Sequence, residues 1–100
     1  MVLLEKKDNM TDEEFARYWL HTHAPLAKKM PGIKKYVVNI VKKPPERESP
    51  YQGVVELWFE DIESMKMAFA STEGRITKED THRFASNVTI LYIDEQEIAI

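Results

Sequence analysis

The chain has 100 residues, enough for one domain over 1–100 with a core of modest size, and its 43% hydrophobic and 31% charged shares are those of an ordinary soluble globular protein. A formal charge of -3 gives no electrostatic reason to expect nucleic acid, which requires a concentrated basic surface, and no stretch approaches the roughly 20 apolar residues of a membrane helix. The absence of cysteine excludes a disulfide framework, thiolate catalysis and cysteine-ligated zinc, and it suits a reducing cytoplasm.

Val2 to Lys6 is a short apolar run, too brief for a secretory signal, that turns polar at Lys7-Asp8-Asn9 as a first strand leaving a sheet does. Thr11-Asp12-Glu13-Glu14 has the form of a capping box, in which Thr11 caps the amide three residues on and Glu14 reaches back. Phe15, Trp19, Thr22, His23 and Leu26 follow at helical spacing and so share one face. Pro25 lacks an amide hydrogen and disfavours helix at Ala24, which predicts a break or kink there, with a second short turn from Leu26 to Met30 ended by Pro31-Gly32.

Ile33 to Val41 is rich in β-branched residues and reads as a strand. A polar loop with three prolines spans Lys43 to Pro50, and Val54 to Glu60 is the next strand. Asp61 is placed to cap a helix running through Ile62, Met65, Met67, Ala68 and Phe69, its methionines filling core gaps. Ser71 to Arg83 is ambiguous, because Gly74 punctuates it, with a helical turn expected over Lys78 to Ala85. Asn87 to Asp94 is the last strand and Glu95 to Ile100 a tail.

This order is βαββαβ, the ferredoxin-like pattern of an α+β fold with a four-stranded antiparallel sheet. Helices cover one face of such a sheet and leave the other bare. Yet Val37 and Val38, Leu57 and Trp58, and Leu91 and Tyr92 are apolar neighbours that point opposite ways. A strand apolar on both faces wants cover on both, and a second copy of the chain packed sheet against sheet supplies it.

Among residues that can carry chemistry, His23 stands first. It lies four positions after Trp19 and eight after Phe15, so it points inward, whereas His21 turns to solvent. An inward imidazole can donate or take a proton on a bound molecule, or it can simply bond a backbone group and fix the kink. Tyr18, Tyr36 and Tyr92 can each offer a hydroxyl that polarises a carbonyl, although aromatic residues at these spacings also build cores. Asn39 is a polar residue in a strand of Val and Ile, and Glu56 is a carboxyl inside Glu-Leu-Trp-Phe that either acts as an acid or pairs with a cation. Trp58 and Phe59 face opposite sides, one lining a cavity under the helices and the other a dimer interface, while Phe69 from the following helix adds apolar wall. No Gly-rich phosphate cradle or Gly-x-Ser-x-Gly elbow occurs, and His21 and His23 are two apart rather than the four that chelation from one helical face requires, so no metal is expected.

The run Glu14-Phe15, Tyr18-Trp19, His23-Ala24-Pro25-Leu26, Pro31-Gly32 and Tyr36, continued by Gly53 and Glu56-Leu57-Trp58-Phe59, resembles the signature of the EthD family from about Thr11 to Phe84. That resemblance implies a ferredoxin-like unit paired into a dimeric α+β barrel. It also implies a place among accessory proteins of ether-degrading oxygenase systems or among relatives in polyketide tailoring and dehydration.

Three readings of function follow. The first is a cofactor-free enzyme that dehydrates, cyclises, isomerises or cleaves a small, largely apolar oxygenated metabolite between sheet and helices. His23, Tyr36 and Glu56 are its catalytic candidates, and Tyr18, Trp19, Asn39, Trp58, Phe59 and Phe69 its binding candidates. The second is an accessory protein that holds such a molecule for an oxygenase system without converting it. The third and least favoured is haem binding through a helix histidine.

Overall fold

The computed structural model describes residues 1–42 and 49–100. It contains strands β1 (Val2–Lys6), β2 (Lys35–Ile40), β3 (Gly53–Trp58) and β4 (Ala85–Ile90), with helices α1 (Asp12–Tyr18), α2 (Ala24–Ala27), α3 (Ile62–Ala70) and α4 (Thr72–Thr81). The strands form one antiparallel sheet in the order β2-β3-β1-β4, which is the ferredoxin-like arrangement. Among the described residues, no helix is long and apolar enough to cross a membrane. The proline-rich loop expected over 43–50 lies, for residues 43–48, outside the described residues.

The first helical region starts on its predicted capping box: the Glu14 amide donates to Thr11 Oγ1 at 3.1 Å, and the Thr11 amide donates to Glu14 Oε1 at 3.0 Å. Its end departs from expectation. The chain does not break at Pro25 but widens into a single π-helical turn over Trp19–His23, where the Ala24 amide reaches back to the Trp19 carbonyl, and α2 follows directly. Pro25 has no amide for the His21 carbonyl, and its ring crowds that position in an ordinary helix. The wider turn absorbs the conflict upstream and keeps both Trp19 and His23 buried.

The segment after Asp61 differs more. Ser71 ends α3 and also caps α4, its hydroxyl accepting from the Gly74 amide at 3.0 Å, so the ambiguous stretch is a full helix rather than a late turn. Gly74 lies inside that helix because the carbonyls of Ala68 and Phe69, at the end of α3, occupy the space of a side chain. Met30 is buried and Met65 half-buried, but Met67 is 72% exposed and fills no core gap. The last strand is Ala85–Ile90, earlier than the expected Asn87–Asp94, so Leu91 and Tyr92 follow the sheet as exposed residues.

Leu4 and Val55 from the sheet meet Phe15 and Trp19 from the first helical region and Phe84 from the approach to β4. Phe84 is the hub, with ring centroids 5.5 Å from Phe15, 5.4 Å from Tyr18 and 6.1 Å from Trp19. Such pairs add about 0.5–1.5 kcal/mol each beyond the area they bury. Alternation places Val37, Asn39, Val54, Glu56 and Trp58 on the opposite, helix-free face, where Asn39 is exposed and the rest are half-buried.

Gly53 on β3 is the point where the sheet lets Trp19 in. A Cβ there would lie 2.6 Å from Trp19 Cη2 and closer still to Cζ3. Gly53→Ala is expected to destabilise the fold by about 1–3 kcal/mol, because the buried indole has little room to retreat. A urea midpoint equal to that of the parent chain would show that the indole does move aside.

Candidate functional site

His23 sits at the end of the π-helical turn, 5% exposed, beneath the carboxyl end of α4. Its Nδ1 lies 2.8 Å from Oδ2 of Asp80, a carboxylate 1% exposed. The other oxygen, Oδ1, accepts from the Tyr18 hydroxyl at 2.7 Å and from Arg83 Nη1 at 3.1 Å. The side chain of Arg83 is mostly exposed, so the network runs from solvent through Arg83 and Asp80 to a buried imidazole.

An ionised carboxylate only accepts hydrogen bonds, so Nδ1 of His23 carries the proton and Nε2 presents a lone pair. Nε2 has no protein partner among the described residues, and His23 lines a cavity of about 290 Å³ between sheet and helices. Val2, Leu4, Met30, Val55 and Leu57 supply much of its wall, with Phe69 from α3. Tyr36 of β2 also lines it, and its hydroxyl oxygen accepts from Trp19 Nε1 at 3.2 Å.

Burial pulls the His23 imidazole below its ordinary value of 6.5, and the hydrogen bond and charge of Asp80 oppose this without reversing it. Burial pushes the Asp80 carboxyl up, but the hydrogen bonds from Tyr18, His23 and Arg83 outweigh it and hold the group below its ordinary value. Burial raises the Tyr36 hydroxyl, the bond from Trp19 working against it. At neutral pH the site therefore holds a carboxylate, a neutral imidazole and a protonated phenol.

The residues singled out from sequence fall into separate places. His23, Tyr36 and Phe69 meet at the cavity. Trp19 and Tyr18 stand behind them, buried or half-buried, each tied to a site residue by its polar atom. Phe59 packs on Phe69 at 6.1 Å between ring centroids, which puts it on the helix side. Trp58 lies on the helix-free face under the Lys35 ammonium, 5.5 Å from its ring. Asn39 and Glu56 share that face and bond each other at 3.1 Å, so the sheet separates them from His23. Tyr92 is 72% exposed and His21 also faces solvent.

Asp80 and Arg83 were not among the residues singled out. The available signal was the helical spacing of Gly74, Thr77, Asp80 and Phe84, which places a carboxyl on a buried face once Thr72–Thr81 is read as helix. Among the described residues, no cluster of three or more His, Asp or Glu side chains is arranged to hold a metal ion.

Residues 7–87 match the model of the EthD domain. The chain belongs to the EthD family. A crystal structure of an ethyl tert-butyl ether D family protein from Bacillus halodurans C-125 superimposes with a TM-score of 0.83 at 28% identity, covering 95% of this chain and 94% of that one. A protein of Arabidopsis thaliana has the same fold at 14% identity, with a TM-score of 0.77 and coverage of 99% and 95%. A dimeric protein of ferredoxin-like fold from Bacteroides fragilis NCTC 9343 gives 0.65 at 16% identity, covering 88% and 85%. No curated protein matches this EthD chain.

The two buried ionisable groups imply an acid-sensitive fold. Each has a lowered folded-state pKa, so the unfolded chain binds more protons than the folded one and stability rises with pH. The His23 contribution is complete above 6.5 and declines as pH falls through the lowered value, and that of Asp80 declines only below 3.8. Melting temperatures between about pH 7.5 and about pH 5.5 are expected to fall in the parent chain and to fall less in His23→Gln. Equal slopes would remove His23 as the source.

Proposed function

We propose that this EthD protein is a cofactor-independent acid/base enzyme. It dehydrates, cyclises, isomerises or cleaves a small, largely apolar oxygenated metabolite, with His23 as the proton-transfer residue. The observation that carries this is the contact between His23 Nδ1 and Asp80 on a histidine that lines an apolar cavity, which leaves Nε2 of the neutral imidazole as the lone pair for a bound molecule. Asp80 acts as the positioning residue: it selects the tautomer, holds the ring and stabilises the imidazolium that forms. A depressed pKa keeps His23 ready as a base at neutral pH.

The helix-free sheet face supports a second part of the reading, a homodimer closed into an α+β barrel. Leu3, Val37, Val54 and Trp58 lie half-buried there with no helix over them, and Trp58 Nε1 is a buried donor without a partner among the described residues. A second copy packed on this face would remove that apolar surface from water. Sedimentation velocity at micromolar concentration is expected to show a dimer, and Val54→Lys to shift it to monomer. A parent chain that sediments as a monomer refutes the barrel.

The base can be read before the natural substrate is identified. In 5-nitrobenzisoxazole a base removes the ring C–H proton, the electron pair forms a nitrile and the N–O bond breaks to a coloured phenolate. Wild-type protein is expected to accelerate this above buffer, and His23→Gln to lower the enzymatic rate about 10²-fold or more. The rate should rise with pH through an inflection below 6.5 and then level off, because the neutral imidazole is the active form. Asp80→Asn places an amide donor against Nδ1 and moves the proton to Nε2, so it should lose the rate, with a lower melting temperature because Tyr18 and Arg83 lose the carboxylate they bond. Equal rates for wild type and His23→Gln would sink the enzyme reading and leave the accessory one.

A further inference from the structure

Resting on the reading of His23 as a base, the hydrogen-bonding inventory of the cavity specifies what it accepts. Its polar lining consists of His23, Tyr36, Thr77, Lys78, Thr81 and His82. The Thr77 hydroxyl donates to the Glu73 carbonyl at 2.8 Å, and the Thr81 hydroxyl donates to the Thr77 carbonyl at 2.9 Å. Both protons are therefore spent within α4 and neither faces a ligand. Lys78 and His82 are exposed and stand at the rim.

Tyr36 differs. An indole N–H can only donate, so Trp19 occupies a lone pair of the Tyr36 oxygen and leaves the phenolic proton free. The same bond fixes where the oxygen sits, since Trp19 is fully buried and locked beside Gly53. Beneath the rim, the cavity then offers one committed donor, Tyr36 O–H, and one committed base, His23 Nε2, in apolar surroundings. A carboxylate or phosphate would bring a full charge into that space with a single neutral donor to meet it, which is costly. A simple hydrocarbon would leave both polar atoms unpaired.

We propose that the substrates are neutral, enolisable carbonyl compounds, with Tyr36 donating to the carbonyl oxygen while His23 Nε2 removes the proton from the adjacent carbon. The C–H bond breaks, its electron pair forms the C=C bond of an enolate, and the proton moves to Nε2 to give imidazolium beside Asp80. The negative charge gathers on the oxygen, where the bond from Tyr36 strengthens as the charge develops. Returning the proton to the same carbon gives exchange with solvent. Returning it elsewhere gives isomerisation, and expelling a β-hydroxyl as water, its oxygen protonated by the imidazolium, gives dehydration.

The test uses 2-tetralone and 1-indanone in D₂O, with loss of the α-proton signals followed by NMR. Wild-type protein is expected to exchange at least one of them faster than buffer, and Tyr36→Phe to lower that rate about 10²–10³-fold. Equal rates for wild type and Tyr36→Phe overturn the proposal. So does exchange at the buffer rate with both ketones from protein that converts 5-nitrobenzisoxazole, an outcome that leaves the base reading standing. If neither reaction is accelerated, both readings fail together.

Because Tyr36→Phe also strands the Trp19 donor and can fail to fold, a measurement on the wild-type protein stands beside it. 2-Naphthol, which mimics the enol of 2-tetralone, should bind at least about 10-fold more tightly than naphthalene, since its oxygen meets the Tyr36 hydroxyl. Equal affinities overturn the proposal irrespective of the variant.

Discussion

Asp80 gathers three donors onto one buried carboxylate, and the arrangement of the helical layer hangs on that convergence. Tyr18 comes from the end of α1, His23 from the π-helical turn and Arg83 from the chain leaving α4. A carboxylate so deeply placed is costly to desolvate unless hydrogen bonds replace the lost water, so the three donors are a condition of its being there. In meeting that condition the fold pins the first helical region to α4. It also orients the imidazole between them, and the same bonds that make the burial tolerable hold the proton on Nδ1 and leave Nε2 as the lone pair.

The π-helical turn is the backbone counterpart of this network. An ordinary helix through Pro25 would set a carbonyl against the proline ring, and a break would detach His23 from the face that carries Phe15 and Trp19. One wider turn satisfies both demands and leaves His23 buried, with its ring 4.8 Å from that of Phe84. The aromatic hub then stabilises the fold and backs the imidazole at once. Phe84 touches Phe15, Tyr18, Trp19 and His23, so a change that loosens the core also loosens the imidazole.

The sheet divides the molecule into two chemistries. Its helix-covered face holds Tyr36 and the cavity, and its bare face holds Asn39, Glu56 and Trp58. Adjacent strand residues point opposite ways, so Glu56 and Leu57 are neighbours in the chain and belong to different surfaces. The dimer proposed for the bare face and the reaction proposed for the covered face therefore draw on different residues of the same strands.

Local physics made most of the architecture legible from sequence. The capping box at Thr11, the cap at Asp61, the β-branched strands and the inward setting of His23 depend on residues a few positions apart, and the pattern is complete within the chain segment that forms them. The Ser71–Arg83 helix was harder to read, because Gly74 is there to let the carbonyls of α3 approach and no local rule encodes that contact. Tertiary structure alone decided the partner of His23. Asp80 lies 57 positions away among other charged residues, and although its spacing from Gly74 and Thr77 sets it on one helical face with them, nothing local names its partner. It becomes special only when α4 packs over the π-helical turn, since the free energy of a buried carboxylate is set by the donors that folding brings to it.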